Sequence, residues 1–129
     1  MHLNDVIRWF HLLAAMVWIG GMITVAAVVP ALRGSGVSRD QLRVMARRYG
    51  VVSWVAMVVA VITGIFQVLR LDVALTGALA VKLILVSLVV ALAFVHREIA
   101  RNAGPALRGL IEGALLVASL GILAAAVLL

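Results

Sequence analysis

Residues 6–29 read VIRWFHLLAAMVWIGGMITVAAVV. Beyond Arg8, His11 and Thr24 the stretch carries almost nothing that asks for water, and it shows no period-two alternation of the kind a strand requires. About 18 or more apolar residues in a row are enough, as a helix, to cross a hydrocarbon core roughly 30 Å thick. Three further runs of this kind follow, over residues 49–69, 76–95 and 110–129. All are too long and continuous for the strands of a barrel. The sequence predicts an all-α integral membrane protein, a four-helix bundle forming a single transmembrane domain over 1–129.

Composition points the same way. Of the 129 residues, 66% are hydrophobic and 12% charged, against about 25% charged in soluble domains. The first run is too long for the apolar region of a signal peptide, and its flank mixes Asp5 with Arg8, so it reads as a retained span. Cysteine is absent, which excludes disulfides, thiolate metal sites and thiol catalysis. The net charge of +6 lies mainly in the connections between spans. It predicts contact with lipid headgroups rather than with nucleic acid.

The distribution of arginine orients the chain. Between the first two spans lie Arg33, Arg39, Arg43, Arg47 and Arg48 against Asp40; between the last two lie Arg97, Arg101 and Arg108, near Glu98 and Glu112. The opposite side has Arg8 and Arg70 with Asp5 and Asp72. Cytoplasmic loops carry the basic excess, so 31–48 is a basic cytoplasmic loop, both termini face outward, and the protein is a multi-pass protein of the cell (inner or plasma) membrane. Pro30, just before RGSGVSRDQLRVMARRYG (33–50), is expected to end the first span. Ser38 or Asp40 then caps a short interfacial helix with Leu42, Met45 and Ala46 on its apolar side, resting on anionic headgroups.

Several polar residues stand where lipid would not tolerate them. At a rise of about 1.5 Å per residue, His11 and Lys82 each lie roughly 9 Å below the outer end of their spans. Span two runs the other way and brings Thr63, Gly64 and Gln67 toward the same leaflet, with Arg70 at its mouth and Arg8 one turn outside His11. Ionisable groups inside a membrane normally face the protein interior and serve a function. His11, Ala15, Trp18 and Met22 share one helical face, and Gly20 and Gly21 beside them permit close approach of a helix or flat ligand. Lys82, Val86, Val89, Ala93 and His96 form a comparable stripe on span three, its ends about 21 Å apart.

Two cofactor chemistries suit these residues. An imidazole is the usual iron ligand of b-type haem, an amine can serve as the second ligand, and Arg8 and Arg70 would meet the propionates at the wet edge. Copper(I) would instead select His11 with Met22 and Met57, with His96 a less favoured metal ligand. In a third reading the same side chains only fix helix register. Glu112 lies one turn after Arg108 and within reach of His96. Gly109 and Gly113 have the spacing of a small-residue dimer contact, so a homodimer is an expectation too.

HLLAAMVWIGGM (11–22), RRYGVVSWVAMVVAVITGI (47–65) and GALAVKLILVSLVVALAFVH (77–96) resemble, in order and spacing, the small four-span superfamily of CopD copper-resistance proteins and HemJ-type protoporphyrinogen oxidases. His11, Trp18, Gly21, Lys82, Leu83 and His96 fall on positions of the HemJ-type pattern. Its third-span Tyr-His pair is here Val95-His96, and ITVAAVVPALR (23–33) replaces its Leu-Pro-Arg stretch. The resemblance implies that His11 and Lys82 are an essential pair associated with haem b, in a membrane oxidoreductase or electron carrier with an unidentified redox partner. The CopD branch implies copper handling.

Overall fold

The computed structural model describes residues 2–70, 77–99, 102 and 104–128. The chain is all-α, with four helices: α1 (Leu3–Gly34), α2 (Arg39–Arg70), α3 (Gly77–Ile99) and α4 (Pro105–Val127). Each is long and apolar enough to cross a membrane, and the protein is a multi-pass membrane protein. It divides into two compact units, Met1–Val73 and Ala74–Leu129, which are a hairpin of α1 with α2 and a hairpin of α3 with α4. Asp72, Thr76, Arg101 and Leu129 lie outside the described residues.

The helices are longer than the apolar runs. At 32 residues each, α1 and α2 are about 48 Å long, against a core of roughly 30 Å. Pro30 does not end α1, which passes through it to Gly34. The ring removes one backbone donor, a loss that a membrane helix tolerates near its wet end. α1 stops instead at Gly36, whose φ of 82° only glycine adopts without penalty. The Gly36 N–H donates to the Arg33 carbonyl and the Val37 N–H to the Leu32 carbonyl, each at 3.2 Å, the paired bonds of a Schellman stop.

Two residues later α2 begins. Ser38 Oγ accepts from the Gln41 N–H at 3.2 Å and Gln41 Oε1 from the Ser38 N–H at 3.1 Å, a complete capping box. Ser38 is therefore the cap, and Asp40 lies in the first turn, where a carboxylate favours the helix dipole. No separate interfacial helix forms: residues 39–48 are the opening turns of α2 itself. Of the expected basic loop only residues 35–38 lie outside helix. α4 starts earlier than its apolar run because Pro105 occupies its first turn, where no donor is needed.

Packing within the first hairpin follows the small residues. Along α1 the positions 11, 14, 15, 18, 21, 22 and 25 are among the less exposed ones, with Ala14 buried, and Ser53, Ala56 and Met57 are buried on α2. Gly21 receives the Tyr49 ring so closely that a Cβ there would stand 3.1 Å from Tyr49 Cε2, whereas a Cβ on Gly20 would meet nothing within 4 Å. In the second hairpin Leu79, Val89 and Ala93 on α3, and Ile111, Leu115, Ala118, Ser119 and Ala125 on α4, are buried. There Gly121, rather than Gly109 or Gly113, takes a facing side chain, Leu85 Cδ1 at 3.1 Å from its would-be Cβ.

The outward faces suit lipid. Val51, Val55, Ile62 and Ile65 are all more than 45% exposed, as are Ile84, Leu88 and Val117. The exposed hydroxyls of Thr24 and Ser87 donate to the carbonyls of Gly20 (2.7 Å) and Leu83 (2.9 Å), one turn back, so neither is presented bare to hydrocarbon. Trp9 and Phe10, exposed near the start of α1, pack edge to face with centroids 5.0 Å apart, where aromatic anchors are expected.

The two adjacent glycines give a direct check on this packing. Gly21→Val should destabilise the protein by about 1–3 kcal/mol, because Tyr49 must be displaced, while Gly20→Val should stay within about 0.5 kcal/mol. Reversible unfolding in mixed micelles measures both. Equal effects at the two positions would contradict the register.

Candidate functional site

The polar residues of the first hairpin form a column running inward from the end where α1 begins and α2 finishes. At the top, Arg70, the last residue of α2, donates through Nε to Asn4 Oδ1 at 3.1 Å, which ties the end of α2 to the start of α1. Arg8 is exposed one turn further along α1, and Gln67 is half-buried one turn back along α2. Below them sits His11. From Asn4 to His11 and from Arg70 to Thr63 the count is seven residues on each helix, roughly 10 Å in both cases.

His11 is held by α2 through three neighbouring residues. Its Nδ1 lies 2.9 Å from the Ala60 carbonyl oxygen and 3.1 Å from Thr63 Oγ1. The Thr63 hydroxyl donates its own hydrogen to the Val59 carbonyl at 2.6 Å, so toward His11 it offers lone pairs. Both partners of Nδ1 are therefore acceptors, and Nδ1 must carry the proton. A neutral imidazole so held has its lone pair on Nε2. Gly64 completes the seat: a Cβ at this position would lie 3.2 Å from His11 Cε1 and 3.6 Å from Nδ1. The ring edge thus rests on backbone that only glycine leaves uncovered.

The remaining sequence candidates divide between the hairpins. Trp18 and Met22 are half-buried on the His11 face of α1, and Met57 is part of the buried core of α2. Lys82 belongs to the second hairpin, half-buried on α3 in the stripe that also contains Val89, Ala93 and His96. At the far end of that stripe His96 Nε2 meets Glu112 Oε1 of α4 at 3.2 Å. With side chains 30% and 62% exposed, this is a surface contact fastening the hairpin near its arginine-rich end. Among the described residues, no three His, Cys, Asp or Glu side chains gather as a metal-binding group.

Three participants were not legible as such. Ala60 acts through its backbone carbonyl, which has no residue signature. Asn4 was not singled out, although it stands one helical turn before Arg8. Gly64 was grouped with the polar residues of span two, but its use as a seat for an aromatic ring needs the register of two helices. Comparison of the chain with protein-family models, with curated proteins and with solved structures found no match.

Two substitutions separate the seat from the bond. Gly64→Val should cost about 1–3 kcal/mol by driving the ring off α2. Thr63→Val keeps the shape and should cost only about 0.6 kcal/mol, the usual worth of one interhelical hydrogen bond in a membrane. Unfolding in mixed micelles reads both, and a larger loss from Thr63→Val would show that the hydrogen bond, not the seat, dominates.

Proposed function

We propose that the protein is a haem b-binding membrane protein of redox or electron-transfer type, in which His11 would hold the iron. The observation that carries this reading is the orientation of His11. A ligating histidine commonly donates its other ring N–H to a carbonyl or carboxylate, which fixes the tautomer and makes the ligating nitrogen more basic. Nδ1–H on the Ala60 carbonyl is that arrangement, with Nε2 as the ligating atom. The donor set fits haem in its chemistry: an imidazole of defined tautomer inside an apolar span, and two guanidinium groups toward the outer end.

Bound haem would supply one-electron chemistry between ferric and ferrous iron. The chain's own residues would do the rest. Ala60, Thr63 and Gly64 hold the imidazole so that little reorganisation accompanies ligation. Arg8 and Arg70 would pair with propionate carboxylates, a task for which the guanidinium fork is suited, and Asn4 sets the orientation of the Arg70 group. Trp18, Met22 and Gln67 would line the ring. Lys82, the single lysine of the chain, is the second essential position that resemblance to the HemJ-type pattern implies. Porphyrinogen oxidation is the activity that this resemblance adds; copper handling through His11, Met22 and Met57, with His96 secondary, is what the CopD branch adds. A homodimer would form on the exposed Gly109 and Gly113 face of α4.

A second reading rests on the same observation. The bonds from His11 to Ala60 and Thr63 fix the α1–α2 register without any cofactor, which makes His11 a structural clamp. The absorption spectrum of the detergent-purified protein, oxidised and dithionite-reduced after haem supplementation, with metal analysis of the same sample, separates the readings. Haem binding predicts a Soret band that shifts on reduction and is lost in both His11→Ala and Lys82→Leu. A colourless wild type, or a His11→Ala protein with an unchanged Soret band, would overturn it; stoichiometric copper would turn the assignment to the methionines.

A further inference from the structure

One face of α2 carries an unbroken line of exposed residues from its first turns to its last. Val44, Val51, Val55, Val58, Ile62, Ile65 and Leu69 are 67%, 62%, 58%, 48%, 49%, 54% and 70% exposed, and they recur with the spacing of a single helical stripe. Near the arginine-rich end the stripe opens into a shallow depression of about 310 Å³ lined by Val44, Arg47, Arg48 and Val51. On a helical wheel Arg47 and Arg48 fall to either side of the line joining Val44 to Val51, so the two guanidinium groups flank it. The apolar stripe thus has a doubly cationic head.

Among the described residues of the first hairpin, no carboxylate pairs with these two arginines. Asp40 is the sole acidic residue between Asp5 and Asp72, and the ion pair it makes is with Arg43, at 3.9 Å. Neither Arg47 nor Arg48 forms an ion pair among the described residues. Two adjacent guanidinium groups match the planar, paired acceptors of a phosphate diester. The stripe below them matches an acyl chain: it is apolar, runs along the helix axis, and extends about 27 Å from Val51 to Leu69.

We infer that this face of α2 is a binding site for one anionic glycerophospholipid of the leaflet that the arginine excess marks as cytoplasmic. Arg47 and Arg48 hold the headgroup phosphate, and an acyl chain lies along Val51, Val55 and Val58. The site is separate from the His11 column and does not depend on what His11 binds. It differs from diffuse attraction of a basic surface to anionic lipid because Arg39 and Arg43, on the same helix and equally charged, stand off the stripe.

The test uses the full chain, delipidated in detergent and mixed with phosphatidylglycerol or phosphatidylcholine of matched acyl chains, with bound lipid counted by native mass spectrometry. One phosphatidylglycerol per chain is expected, retained about thirtyfold better than phosphatidylcholine, in line with two basic groups at a membrane surface. Arg47→Gln/Arg48→Gln should lose that preference, and Arg39→Gln/Arg43→Gln, with the same change in net charge, should keep it. Equal losses in the two double variants, equal retention of the two lipids, or displacement by millimolar inorganic phosphate would overturn the inference. Should the glutamine pair not fold, Arg47→Lys/Arg48→Lys keeps the charge and removes the paired fork: a several-fold loss of preference supports the site, and an unchanged preference refutes it.

Discussion

A single hydrogen-bonded ring organises the first hairpin. An imidazole in a transmembrane helix needs partners, because an unsatisfied polar group in hydrocarbon costs several kcal/mol. Here the partners come from the backbone of the neighbouring helix: His11 donates to the Ala60 carbonyl, shares Thr63, and rests against Gly64. That requirement fixes the rotation of α1 about its axis, since it turns the 11, 15, 18, 22 face toward α2. It also fixes the vertical register, since Ala60 and Thr63 are the residues that must be level with position 11. The Asn4–Arg70 contact above and the Gly21–Tyr49 contact below are then consistent with the same register.

Between lipid-soluble helices the hydrophobic effect contributes little, because an acyl chain is as apolar as leucine, and association relies on close packing and polar contacts. Both hairpins follow this rule. Each has a glycine that receives a bulky side chain, Tyr49 on Gly21 and Leu85 on Gly121, and each has a histidine that bonds across to its partner helix. The two histidines nevertheless differ in kind. His96 meets an exposed carboxylate, whereas His11 meets a backbone carbonyl inside the span, a partner that can only accept and so calls for a proton on Nδ1.

Much of this was legible in the sequence. Continuous apolar runs define four helices whatever their packing, and the 3.6-residue period identified the faces of α1 and α3 that turn inward. Ser38 was one of two candidate caps, with Asp40, and the reciprocal bonds with Gln41 decide for Ser38, as the start of α2 rather than of a separate interfacial helix. Helix ends set by backbone geometry were less accessible: Pro30 looked like a stop, yet the stop is Gly36, where a positive φ is required. The pairing of His11 with the Ala60 carbonyl was out of reach for a different reason. Any residue supplies a carbonyl, and only the register of two helices decides which one is opposite.

The most direct test of this account is the tautomer of His11, read from the ¹⁵N shifts of its imidazole in the protein reconstituted in bilayers. Protonated Nδ1 and unprotonated Nε2 are expected in the protein without cofactor, with the Nδ1 proton shifted back toward a water-like environment in Gly64→Val. An Nε2–H tautomer, or a ring whose Nδ1 is indifferent to that substitution, would contradict the hydrogen bond to Ala60 and, with it, the proposal that Nε2 would hold iron.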